Sequence, residues 1–153
     1  MEYSLEFSQR LIESAESIEE SDEAGRAILY LSMLSCEISL KATLEVAGFT
    51  VNELKAKGHH VDVLLNDLAN CQFKDSGEVS SGIRAKVVIP DTGNGTVGAL
   101  LTAQASECSV YPNGIRYGEL VEHFPPMVML TCAKVLHQWC NQNVENLVRH
   151  GNH

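Results

Sequence analysis

Residues 23–47 read EAGRAILYLSMLSCEISLKATLEVA, and this stretch decides the fold. It holds no proline, and Ala27, Ile28, Leu31, Leu34, Ile38 and Ala42 recur at spacings of three and four. That is the period of one helix face. Leu29, Met33, Leu40 and Leu44 widen the face. A helix apolar over so much of its circumference belongs at the centre of a bundle rather than on its surface. Gly48 follows as a natural stop.

Helical patterns continue on both sides. Before this stretch, Leu5, Leu11, Ile12, Ala15 and Ile18 form a stripe among acids, which predicts a surface helix over 5–20. After it, Thr50-Val51-Asn52-Glu53 has the capping-box pattern, so a short helix runs to about Lys57 and stops at Gly58. Val61, Leu64, Leu65 and Leu68 predict another, starting at His60 or Val61 and ending near Asn70. Pro125-Pro126 open the last helix, where proline in the first turn is tolerated. Met127, Leu130, Val135, Leu136, Trp139, Val144 and Leu147 carry its stripe to about Val148, and Arg149 to His153 is expected to fray.

Residues 72–114 differ. Six of the eleven glycines lie there (Gly77, Gly82, Gly93, Gly95, Gly98 and Gly114), so regular structure is expected only in pieces. Lys86-Val87-Val88-Ile89-Pro90 reads as a short extended piece stopped by proline, and residues 97–106 as a short helix. The expected fold is therefore all-α: one domain over 1–153, an up-and-down bundle of four to five helices, with a long glycine-rich insertion before the last.

Composition narrows the class. With 44% hydrophobic and 20% charged residues, the chain can build a core and is not wholly disordered. The net charge is −9, and residues 1–25 carry eight acids against Arg10 alone. That acidity disfavours non-specific nucleic-acid binding by the whole surface and leaves room for a local basic site. Cys36, Cys71, Cys108, Cys132 and Cys140 are odd in number and contain no C-x-x-C pair. With no secretory signal pattern, they read as reduced thiols packed in the core of a cytoplasmic protein. No uninterrupted apolar run reaches about 18 residues, so no membrane span is expected.

Three segments in order carry a resemblance. They are Arg26 to Tyr30 with Cys36-Glu37-Ile38-Ser39-Leu40-Lys41 to Leu44, then Lys57-Gly58-His59-His60-Val61-Asp62-Val63-Leu64-Leu65, then Ile115-Arg116-Tyr117-Gly118 before the last helix. Together, over 5–70 and 115–148, they resemble the HEPN (higher eukaryotes and prokaryotes nucleotide-binding) family. Residues 72–114 match nothing in that pattern. The resemblance implies a helical bundle, often a homodimer. It also implies a group that includes RNA-cleaving toxins, defence proteins and non-catalytic partners of nucleotidyltransferases. Catalytic members carry an arginine, four to six residues, then a histidine; here Arg116 precedes His123 with six residues between.

The chemistry expected of that pair is metal-free RNA cleavage. His123 would remove the 2′-hydroxyl proton and Arg116 would meet the charge building on phosphate. Tyr117 would stack on a base. Pro125 follows His123 by two residues and disfavours helical geometry at Phe124, so the pair precedes the last helix. Glu37 and Lys41 stand one turn apart, either lining a cleft that binds ligand or pairing at the edge of the core. His59, His60 and Asp62 are too close in sequence for one tetrahedral metal site and read as a helix start; Lys55, Lys57 and His59 form either a small phosphate-attracting patch or solvated surface. Gly93-Asn94-Gly95 lacks the lysine of a phosphate loop. No metal or cofactor is expected. Two functions stay open: a metal-independent endoribonuclease or RNA- or nucleotide-binding protein of toxin or defence type, and a non-catalytic homodimeric module. For either, the partner is a second copy or a protein such as an antitoxin or nucleotidyltransferase.

Overall fold

The computed structural model describes residues 1–18, 24–74, 95–104, 111–112 and 125–150. Within these it is mostly helical. Arg116, Tyr117, His123, Cys108, the proline-stopped piece at 86–90 and most of the glycine-rich stretch lie outside the described residues.

The first helix, α1 (Leu5–Glu16), starts where Ser4 Oγ accepts from the Phe7 amide at 3.2 Å. It buries Ser8, Leu11, Ile12 and Ala15, one face at helical spacing. Helix α2 (Ala24–Ala47) is the central element, packed by α1, by α4 (Val61–Ala69) and by α6 (Pro126–Asn143). By length and composition Gly25–Ala47 also suffices to cross a membrane, with a mean hydropathy of 1.3, and 67% of that window is buried inside the protein. The expectation of no such segment rested on unbroken apolar runs; Glu37 and Lys41 interrupt the run without lowering the average enough.

Gly48, at φ 119°, ends α2. The Phe49 amide donates to Leu44 O and the Gly48 amide to Glu45 O, a Schellman closure that requires the left-handed conformation glycine adopts without strain. The capping box forms as expected at α3 (Val51–Ala56), with Thr50 and Glu53 bonding reciprocally. Helix α5 (Val97–Ala103) is capped by Thr96 and packs against α4 and α6.

Three expectations fail at the end of the chain. Helix α6 stops at Asn143 rather than near Val148, and is followed by a 3-10 turn (Val144–Asn146) and a two-residue strand, β2 (Leu147–Val148). That strand pairs antiparallel with β1 (Gln72–Phe73), Gln72 opposite Val148 and Phe73 opposite Leu147. Nor does Arg149 fray. Its amide donates to Ala47 O at 2.9 Å, and its guanidinium bonds both Glu53 oxygens while lying 4.1 Å from the centre of the Phe49 ring. Burial of Leu147, and Phe73 set edge-on to Trp139, outweigh the helical period that continued through these residues. Met127 is 59% exposed rather than part of the stripe; the buried face of α6 runs through Met129, Leu130, Ala133, Leu136 and Cys140.

Candidate functional site

Glu37 stands on the buried side of α2, and its side chain is only 4% exposed. Lys41, one turn on, is 6% exposed, with Nζ 3.1 Å from Glu37 Oε2. A buried charge is tolerated when a partner neutralises it and donors satisfy its remaining lone pairs. Both conditions hold. Tyr111 Oη donates to Glu37 Oε1 at 2.6 Å, and His59 Nδ1 lies 2.8 Å from the same oxygen. Lys41 also lies over the Tyr3 ring, 5.4 Å from its centre.

The backbone delivers His59 by a turn. Helix α3 is capped by Lys57, Gly58 takes φ 59°, and the His60 amide bonds back to Lys57 O before α4 begins. His59 thus reaches Glu37 from the connection while its own side chain stays 52% exposed. Its ring meets Tyr111 edge-on at 6.0 Å, and Tyr111 in turn packs against Tyr30 at 6.0 Å. Burial first, and the Glu37 charge second, push the Tyr111 phenol far above its ordinary value, so it remains a donor. With the carboxylate as acceptor, His59 carries its proton on Nδ1. Its Nε2 makes no hydrogen bond to any described residue.

Beside this imidazole is a cavity of about 80 Å³ bordered by Met33, His60, Asp62, Gln104 and Tyr111. The arrangement is a buried carboxylate holding an accessible imidazole by one nitrogen. Such an arrangement fixes the orientation of the ring and leaves its other nitrogen without a partner among the described residues.

Of the residues expected from sequence, Glu37 and Lys41 are brought together. They lie inside the core, however, neither at its edge nor on an open cleft, because each removes the other's charge. Lys55, Lys57 and His59 do not gather into one patch. Lys57 pairs with Asp67 at 2.7 Å, Lys55 approaches Glu2 at 3.7 Å, and His59 turns to Glu37. The contact of His59 with Glu37 and the arrival of Tyr111 were missed. The available signal was chemical rather than periodic: an acid inside an apolar helix needs more donors than one lysine supplies.

Two other polar groupings sit in the interior. Ser8 Oγ lies 2.8 Å from His137 Nδ1 between α1 and α6, and burial lowers the His137 pKa. Cys36 and Cys132 are buried between α2 and α6. Their mutual hydrogen bond, then burial, raises the Cys36 thiol; burial takes Cys140 to about 12 and Cys71 to about 11. Among the described residues no three His, Cys, Asp or Glu side chains are grouped to hold a metal ion.

Comparison with protein-family models, curated proteins and solved structures finds no match to this chain.

Proposed function

We propose that the protein is a HEPN-like, metal-independent endoribonuclease or ribonucleotide-binding protein of toxin or defence type, with His59 as its acid–base group. The observation that carries this reading is the 2.8 Å contact of His59 Nδ1 with buried Glu37, which leaves Nε2 for a substrate. In the proposed reaction His59 Nε2 takes the proton of a ribose 2′-hydroxyl. The 2′-oxygen attacks phosphorus, and the bond to the 5′-oxygen breaks. The products are a 2′,3′-cyclic phosphate and, once a general acid returns a proton, a free 5′-hydroxyl. Arg116 is proposed as the cation that meets phosphate, His123 as the second proton-transfer group, and Tyr117 as a base-stacking ring. Arg116 follows Tyr111 by five residues, a span of at most about 18 Å of extended chain.

The same reading proposes an up-and-down bundle of four to five helices carrying 72–114 as an insertion. It also proposes a homodimer in the cytoplasm, with an antitoxin or nucleotidyltransferase as a further partner. The second reading, a non-catalytic homodimeric interaction module, is favoured by one observation. Glu37 already has three donors, as a purely structural clip between α2, the α3–α4 turn and Tyr111 requires.

The separating experiment is RNA cleavage in excess chelator by the native chain and by His59→Ala, Arg116→Ala and His123→Ala. Loss in the folded variants upholds the enzyme. Absence of cleavage by folded native chain on several RNAs moves the conclusion to the module.

A further inference from the structure

Asp62 borders two cavities. One is the cavity beside His59. The other, of about 270 Å³, lies between α4 and α5 and is lined by Asp62, Leu65, Asn66, Thr96, Gly98 and Thr102. Asp62 is partly buried, and among the described residues its carboxylate makes no hydrogen bond or ion pair. A place in the first turn of α4 explains why an acid is tolerated there. It does not explain an unengaged carboxylate at the junction of two cavities.

The larger cavity has a surface suited to a flat ring with a polar edge. Leu65 and Gly98 offer apolar contact, while Asn66 and Thr102 offer neutral hydrogen-bonding groups. A ring seated there meets Asp62, which also borders the cavity beside His59. Given the reading of His59 as the group that acts on, or binds beside, a ribonucleotide, we infer that the α4–α5 groove is a base pocket selecting guanine, with Asp62 as the specificity-determining residue.

The choice follows from donor patterns. Guanine alone among the four RNA bases presents two adjacent donors, N1–H and the 2-amino group, on its Watson–Crick edge, and two carboxylate oxygens accept both. Adenine and cytosine place one amino donor next to a ring acceptor, which the carboxylate repels. Uracil places one N–H between two carbonyls. A base that sets an acceptor against the Asp62 carboxylate, or offers it one donor instead of two, binds less tightly.

The test is calorimetric titration of the full chain with GMP, IMP, AMP and UMP, repeated for Asp62→Asn and Asn66→Leu with folding checked by circular dichroism. GMP is expected to bind at least tenfold more tightly than AMP or UMP. IMP, which lacks the 2-amino donor, should fall between. Asp62→Asn should bring GMP to the level of AMP, and Asn66→Leu, close to Asn in shape, should weaken GMP by removing a hydrogen-bonding group. Equal affinities, no nucleotide binding, or a GMP preference that survives Asp62→Asn overturns the inference. Binding of arginine amide in place of nucleotides assigns the groove to a basic peptide and overturns it too. Base-indifferent cleavage that depends on His59 removes the guanine pocket and leaves the catalytic reading. A GMP preference lost in Asp62→Asn, in a chain that cuts no RNA, does the reverse.

Discussion

Tyr111 Oη donates to Glu37 Oε1 at 2.6 Å, joining residues 74 positions apart in the chain. The bond holds Tyr111, from beyond α5, against the middle of α2. Removing the hydroxyl leaves Glu37 with one donor fewer in a site water reaches poorly. Tyr111→Phe is expected to cost about 1.5–3 kcal/mol, the range for hydrogen bonds to charged groups. Urea unfolding monitored by circular dichroism measures it, and a loss below about 0.5 kcal/mol would show that the bond does not hold this segment in place.

The buried Glu37–Lys41 pair should behave asymmetrically under mutation. Removing one partner strands the other's charge inside the protein, so Lys41→Met is expected to cost about 3–5 kcal/mol. The double variant Glu37→Met with Lys41→Met removes both charges and should recover part of that loss. Recovery is incomplete because Tyr111 loses its acceptor. Denaturation of the native chain, both single variants (Glu37→Met and Lys41→Met) and the double variant gives the coupling, and additive losses would argue against a coupled pair.

How much of this was legible beforehand varies by element. The period of Ala27 to Ala42, the Thr50–Glu53 capping box and the Pro125-Pro126 opening each follow local rules, and the structure has helices at all three. The strand at Leu147–Val148 did not show, because its partners are 74 and 76 residues away and its apolar spacing fits a helix equally well. Glu37 and Lys41 stood out as charges on an apolar helix. That His59 and Tyr111 complete their coordination depends on a turn at Gly58 and on long-range packing that no local spacing encodes.

His137 gives a pH-dependent prediction. Burial lowers its folded-state pKa below the ordinary value of about 6.5. Between those two values the unfolded chain binds the proton more readily than the folded one. Stability should therefore fall as pH drops through about 6.5 and stop falling, on this account, below the folded-state value. His137→Gln should flatten the stability profile just below about pH 6.5 relative to the native chain. An unchanged slope in thermal melts across that range contradicts the assignment.

The interior thiols should be inert. Cys36, Cys71, Cys132 and Cys140 are buried, and the raised values of Cys36, Cys71 and Cys140 further reduce the thiolate that alkylating reagents attack. Iodoacetamide at neutral pH should leave these four positions unmodified in the native protein and label them in denaturant, as peptide mass spectrometry would read. Rapid native labelling at Cys36 or Cys132 would contradict the α2–α6 packing.

The most direct test of the central claim is rescue of His59→Ala by added imidazole, in RNA cleavage under excess chelator. If His59 Nε2 transfers the proton, the variant should lose at least about 100-fold in rate and regain a substantial part as imidazole rises, while folding stays native. A folded His59→Ala that cuts RNA at the native rate, or a native chain that cuts none, would contradict the account and leave the Glu37 cluster as a structural clip.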